Sequence, residues 1–217
     1  IQTPDLLILP GTKNTIDDLK WLRRTGLESP ILNCARKGIP VLGICGGYQM
    51  LGNEIDDSCG AETGEVVPGL GLLPVKTVFS LEKHRTRVKG RICAQSGIWG
   101  SVSGCECTGY EIHMGESRIC EENAQGFIQL TNQSDLSTRA DGCVRENVAG
   151  TYLHGIFDEV GFCGRLIETL CRQKGRNSAV SGQMSFWEYK QREYDKLADV
   201  IRENMDMEYL YRVMGLA

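Results

Sequence analysis

Two short apolar runs punctuate the first fifty residues. Asp5-Leu-Leu-Ile-Leu is ended by Pro10-Gly11-Thr12, and Ile39-Pro-Val-Leu-Gly-Ile runs up to Cys45. Apolar runs without polar alternation suit strands of a parallel sheet buried on both faces. Between them the period changes. Ile16, Leu19, Trp21 and Leu22 recur at helical spacing behind a cap at Asn14 or Thr15, and a second helix over residues 29–37 carries Ile31, Leu32 and Ala35 and stops at Gly38. The order strand, helix, helix, strand, helix predicts an α/β fold: an open, mostly parallel sheet with flanking helices and right-handed crossovers.

Further along, residues 56–73 turn to Gly, Asp and Pro and read as a loop containing Glu62 and Glu65. Strands are expected over 75–79, 87–92, 109–115 and 126–130. The stretch 94–107, rich in Gly, Ser and Cys, is expected to be an exposed excursion. A short apolar strand, Val148 to Leu153, ends at His154-Gly155. Helices are expected over 158–171, from Ser185 onward and over 207–214, giving an α/β domain over 1–172 and a helical extension over 173–217 packed on it.

The second run carries candidate chemistry. Cys45 ends a strand, Gly43 and Gly47 flank it at two positions either side, and a helix-compatible stretch follows. This is the pattern of a nucleophile elbow, in which glycines allow a tight strand-to-helix turn. The Gly46 N–H and the helix start would face the sulfur, so a lowered thiol pKa is expected. Ligands of open α/β sheets bind beyond the carboxyl ends of the strands. Gly11 lies at such an end and is a candidate second oxyanion donor beside Gly46.

A cysteine nucleophile needs an imidazole near it in space. Only three histidines are available, and His154, at a strand end, is preferred over His113; His84 sits in a charged, solvated-looking segment. In Gly109-Tyr-Glu-Ile-His-Met-Gly, alternation puts Tyr110, Ile112 and Met114 on one face, with Glu111 and His113 together on the other as a second candidate site.

Composition narrows the function classes. A net charge of −4 with mixed signs offers no basic stripe for nucleic acid, and the apolar runs are too short to span a bilayer. Ten irregularly spaced cysteines, with Cys105-x-Cys107 the one tight pair, suggest free thiols in a reducing cytoplasm and no metal site.

With these residues in view, Pro10-Gly-Thr-Lys-Asn-Thr, Gly43-Ile-Cys-Gly-Gly-Tyr-Gln-Met-Leu-Gly, Gly109-Tyr-Glu-Ile-His-Met-Gly, Thr138-Arg-Ala-Asp-Gly and Gly150-Thr-Tyr-Leu-His-Gly-Ile-Phe-Asp resemble, in order, the class I glutamine amidotransferase domain of cobyric acid synthases. The resemblance covers nearly the whole chain. It implies that Cys45 attacks the glutamine amide, that Gly46 and Gly11 hold the oxyanion, that His154 is the acid and base, and that Gln49, Tyr110, Glu111 and His113 contact substrate.

It also implies a synthetase domain, absent from this sequence, that would use ATP and Mg²⁺ to activate a corrinoid acceptor and take up the ammonia. Within this chain no cofactor, metal, nucleic acid or membrane is expected, and no G-x-x-x-x-G-K-[ST] stretch occurs. An upstream edge strand is expected too, since the chain resembles the family from its second strand onward. Relatives acting on another acceptor, in cobyrinic acid a,c-diamide synthesis or cell-wall precursor amidation, and a non-catalytic docking fragment are the alternatives. Many class I amidotransferases carry a Glu two residues after the histidine; here Ile156 stands there, so the orienting role is either vacant or filled by another group, with Glu111 and Asp158 as candidates.

Overall fold

The two apolar runs become adjacent parallel strands because neither has a polar face to offer water. The computed structural model describes residues 3–122, 124–177 and 184–216. In chain order its elements are β1 (Leu7–Leu9), α1 (Thr15–Arg24), α2 (Glu28–Arg36), β2 (Val41–Ile44), α3 (Gly46–Leu51), β3 (Glu54–Asp56), β4 (Val66–Pro68), β5 (Val75–Ile92), α4 (Gly97–Gly100), β6 (Glu106–Ile119), β7 (Ile128–Asn132), β8 (Thr138–Asp141), β9 (Cys143–Arg145), β10 (Val148–Thr151), α5 (Val160–Gln173), α6 (Phe186–Asn204) and α7 (Met207–Val213). The described chain divides into two compact units, 1–180 and 181–217.

The first unit holds two sheets. One has the order β1-β2-β10-β9, with β2 parallel to both of its neighbours and β9 antiparallel to β10. Its register matters for the chemistry: Leu9 pairs with Gly43, and Ile44 with Thr151. The carboxyl ends of β1, β2 and β10 therefore lie side by side, and the Cys45 N–H donates to the Thr151 carbonyl at 2.8 Å.

The second sheet runs β4-β3-β5-β7-β8, with β6 also paired to β5. Only β3 and β5 are parallel in it, so the mostly parallel description holds for the first sheet alone. Residues 75–79 and 87–92 belong to one strand. The charged stretch between them, including His84, is carried as exposed strand by its pairing with β6, where a loop was expected.

The excursion expected over 94–107 is instead largely interior. Ala94, Trp99 and Val102 are fully buried and Cys105 and Cys107 nearly so, with Trp99 edge-on to Phe127 at 5.6 Å. Glycine and serine form the turns of this segment, while its apolar residues join a core with Phe127, which precedes β7, Ile128 of β7 and Phe162 of α5. Nothing nearby in sequence announces those partners. A second core lies around Ile16, Leu19, Val41, Tyr48, Leu51 and Leu73, under the elbow.

In the second unit both helices start on their own caps. Ser185 and Glu188 form a reciprocal capping box, and Asp206 accepts the Tyr209 N–H at 2.9 Å. Among the described residues no helix is long and apolar enough to cross a membrane.

Asp57 organises the loop after β3. It is fully buried, and its carboxylate accepts the N–H groups of Ala61, Glu62, Thr63 and Gly64 at 2.7 to 2.9 Å. Burial pushes its pKa up, but the four N–H donors outweigh burial and bring it down to about 2. A depressed carboxylate stabilises the fold above its unfolded value of about 3.9. That contribution is lost as pH falls from there towards 2. Asp57→Asn removes the charge and turns an NH₂ towards N–H donors. We expect it to cost about 2–4 kcal/mol in denaturant unfolding at pH 7, with the difference from wild type shrinking as pH falls below 4.

Candidate active site

Cys45 sits between β2 and α3 with φ 51° and ψ −112°, a conformation that L residues rarely adopt. Tertiary packing holds it there. A Cβ at Gly47 would lie 2.1 Å from the Leu9 carbonyl oxygen, and one at Gly43 would lie 2.6 Å from Leu51 Cδ1 and 2.7 Å from the Gly47 oxygen. The turn closes only because both positions lack a side chain. Gly47→Ala would push α3 off β1, and we expect a stability loss of about 3 kcal/mol or more by thermal or urea unfolding.

Three strand ends converge on the sulfur. A Cβ at Gly11 would sit 3.5 Å from Cys45 Cβ and 3.2 Å from His154 Cε1, so the glycine after β1, the cysteine after β2 and the histidine after β10 are neighbours. The cavity they share has a volume of about 650 Å³. Gln49, Tyr110, Ile112, His113 and Met114 also line it, together with Lys13, Thr15, Glu62 and Lys83, none of which was expected at the site. The signal for Glu62 was its place in a Gly- and Asp-rich loop, where turn chemistry hid its direction.

The β6 strand closes the site from the far side. Tyr110 and His154 exchange backbone hydrogen bonds of 3.2 and 2.9 Å, and their rings stack at 5.1 Å and 6°. The Cys45 thiol donates to the Ile112 carbonyl at 3.4 Å. The same carbonyl acts on the His154 imidazole, opposing the fall in its pKa. One backbone oxygen thus faces both members of the Cys–His pair.

The charge state differs from the sequence expectation. Burial pushes the Cys45 thiol pKa up, the Gly46 N–H opposes this, and the negative charges of Asp141 and Glu62 add to the rise. The expected lowering is overturned because the sulfur lies in a buried niche. Burial likewise lowers the His154 pKa, with the Ile112 carbonyl and the charge of Glu111 working the other way. The resting pair is therefore a neutral thiol beside a neutral imidazole. His154 Nε2 and Glu111 Oε1 are both buried with no hydrogen-bond partner among the described residues.

The other candidates separate. Gln49 is buried; its Oε1 accepts from Thr15 Oγ1 at 3.1 Å, and its Nε2 donates to the Met114 carbonyl at 3.3 Å and Tyr152 Oη at 3.1 Å. Its amide braces α3 against α1 and β6. His113 stacks on Tyr152 at 3.8 Å, its Nδ1 meets the Gly115 carbonyl at 3.0 Å, and burial brings its pKa down to about 4. It lines the cavity as a neutral ring.

Glu111 does not line this cavity, which corrects its reading as a substrate contact paired with His113. It is buried on the other side of β6, ion-paired with Arg139. Strand alternation separates it from Tyr110 and Ile112, while the long His113 ring reaches both cavities. Ile156 is fully buried in the core with Phe127 and Phe162, so no carboxylate stands two residues after His154. All ten cysteines are free, and no group of three His, Cys, Asp or Glu among the described residues is placed to hold a metal ion.

Residues 1–162 match the model of the CobB/CobQ-like glutamine amidotransferase domain. The chain is 44% identical over 218 residues to a cobyric acid synthase of Lachnoclostridium phytofermentans, covering 97% of the chain and 42% of that protein. With a cobyric acid synthase of Photorhabdus laumondii it shares 42% identity over 99% of the chain and 42% of that protein. It thus spans about two-fifths of the length of these curated relatives. In fold it is similar to PurLQS from Thermotoga maritima, with a TM-score of 0.52 at 16% identity, covering 80% of this chain and 82% of that one. The architecture is that of class I glutamine amidotransferases. By its sequence, from Ile1 through the start of α5, this chain belongs to the family of CobB/CobQ-like glutamine amidotransferase domains.

Proposed function

We propose that this chain is the glutaminase part of a cobyric acid synthase. The observation that carries the reading is the meeting of Cys45, His154 and Gly11 at three adjacent strand ends. In the first step His154 takes the thiol proton as the sulfur attacks the side-chain amide carbon of glutamine. The oxyanion formed is held by the N–H groups of Gly46 and Gly11. His154 returns that proton to the amide nitrogen, the C–N bond breaks, and ammonia leaves a thioester on Cys45. Water, deprotonated by His154, then releases glutamate and restores the thiol.

The ammonia would be consumed by the part of the protein that this chain does not contain. There, ATP and Mg²⁺ would activate carboxylates of adenosylcobyrinic acid a,c-diamide for amidation. The relatives' shared name and the family match support this assignment of acceptor. The test is to give the full-length protein ATP, Mg²⁺, the diamide and glutamine labelled with ¹⁵N in its amide. Label in the new corrinoid amides is expected. Glutamine hydrolysis without transfer to this acceptor, but with transfer to cobyrinic acid or a cell-wall precursor, would overturn the choice of acceptor.

A further inference from the structure

The Asp57 loop takes no part in the bond-making steps, yet it is rigidly built. Two positive-φ glycines, Gly60 at 73° and Gly64 at 77°, let the chain curl round the buried carboxylate, which takes four consecutive N–H groups. A backbone wrapped in this way holds whatever side chain it projects. That side chain is Glu62. It reaches the first turn of α1, where its Oε2 accepts the Ile16 N–H at 3.0 Å, and it lines the cavity shared by Cys45 and His154.

Charge narrows what Glu62 can do there. Its negative charge is close enough to Cys45 to raise the thiol pKa, which hinders the reaction unless a cation comes between them. Glu62 is the one carboxylate among the lining residues, while Lys13 and Lys83 are the permanent cations. Glutamine brings a neutral amide to the sulfur and, three carbons away, an α-ammonium and an α-carboxylate. An ammonium placed beside Glu62 gains a charge-assisted hydrogen bond and also neutralises the charge that opposes thiol ionisation.

We propose that Glu62 is the specificity residue that receives the α-ammonium of the amide substrate, and that Asp57 is a positioning residue that holds it there. This rests on the glutaminase reading above. It makes recognition of the amino-acid end a property of the β3–β4 loop, separate from the elbow that performs the chemistry.

The test compares glutamine with glutaramate, the same amide lacking the α-amino group, in the full-length protein. The KM for glutamine and the inhibition constant of glutaramate against glutamine hydrolysis are measured for wild type, Glu62→Gln, Asp57→Asn and, as a control in the same loop, Glu65→Gln. For Glu62→Gln the glutamine KM is expected to rise about 10- to 100-fold, the size of one charged hydrogen bond. The glutaramate constant should stay within about threefold, since no ammonium is lost.

Asp57→Asn should move the glutamine KM in the same direction with a smaller change in kcat, and Glu65→Gln should move neither. An equal loss for both ligands in Glu62→Gln would mean a structural role and overturn the proposal, as would an unchanged KM. A wild-type protein that releases no ammonia from glutamine would instead overturn the glutaminase reading itself.

Discussion

Cys45→Ser is expected to abolish glutamine-dependent amidation in the full-length protein while leaving amidation from free ammonia intact. The loss on glutamine should be about 10⁴-fold or more, in the range seen when a nucleophile is removed from a catalytic unit. Serine fits the niche, so the fold should survive. Its hydroxyl, far less acidic than a thiol, cannot be ionised by an imidazole that burial already keeps weakly basic. Measuring product formation with glutamine and with ammonium salt, side by side, separates lost chemistry from lost structure. If glutamine were still used normally, Cys45 would not be the nucleophile.

His154→Gln should cost about 10³- to 10⁴-fold in kcat/KM and should change the pH profile as well. In wild type the imidazole must be neutral to accept the thiol proton. Its lowered pKa puts the acid limb of kcat/KM below the ordinary value of about 6.5, with activity lost as pH falls through it. The raised thiol pKa keeps the plateau open on the alkaline side. Without the imidazole, the residual rate should lose its acid limb and climb with pH as the Cys45 thiol ionises unaided. An acid limb that persists unchanged in His154→Gln would show that another group is the base.

The neutral resting pair also bears on the carboxylate that acts on His154. Glu111, buried on β6, raises the imidazole pKa through its charge, but burial of the ring outweighs it. Here the Ile112 carbonyl, a dipole without net charge, faces the ring and accepts from the thiol. Tyr110, stacked flat on His154, restricts the ring further. Ile156, where many relatives of this class carry a glutamate, is fully buried in the core around Phe127 and Phe162.

Much was legible in the local pattern because its causes are local. Continuous apolar runs and helical spacing identified β1, α1, α2, β2 and the helices after residue 158, although Asn14 gives α1 no side-chain cap and Ile8 leaves one face of β1 exposed. Gly43 and Gly47 around Cys45 announced a tight turn, and the structure shows the backbone contacts that exclude a Cβ there. The strand before His154 was readable too, though it ends at Thr151, three residues short of the histidine. Residues 94–107 were misread because glycine and serine suggested exposure while the partners of Trp99 lie at Phe127, just before β7, and in the core that β7 and α5 build.

The sequence by itself determined the chemistry available to this chain: a cysteine at a strand-to-helix elbow, a histidine at a second strand end, and glycines where backbone donors would be needed. Only the tertiary structure decided how that chemistry is set. Strand register brought the three ends together, since Leu9 opposite Gly43 and Ile44 opposite Thr151 is a long-range pairing that no local period encodes. Burial reversed the expected shift of the thiol pKa, because desolvation depends on everything packed around the sulfur. Side-chain direction across β6 sent Glu111 to Arg139 and away from the cavity, and a buried aspartate carried Glu62 into it.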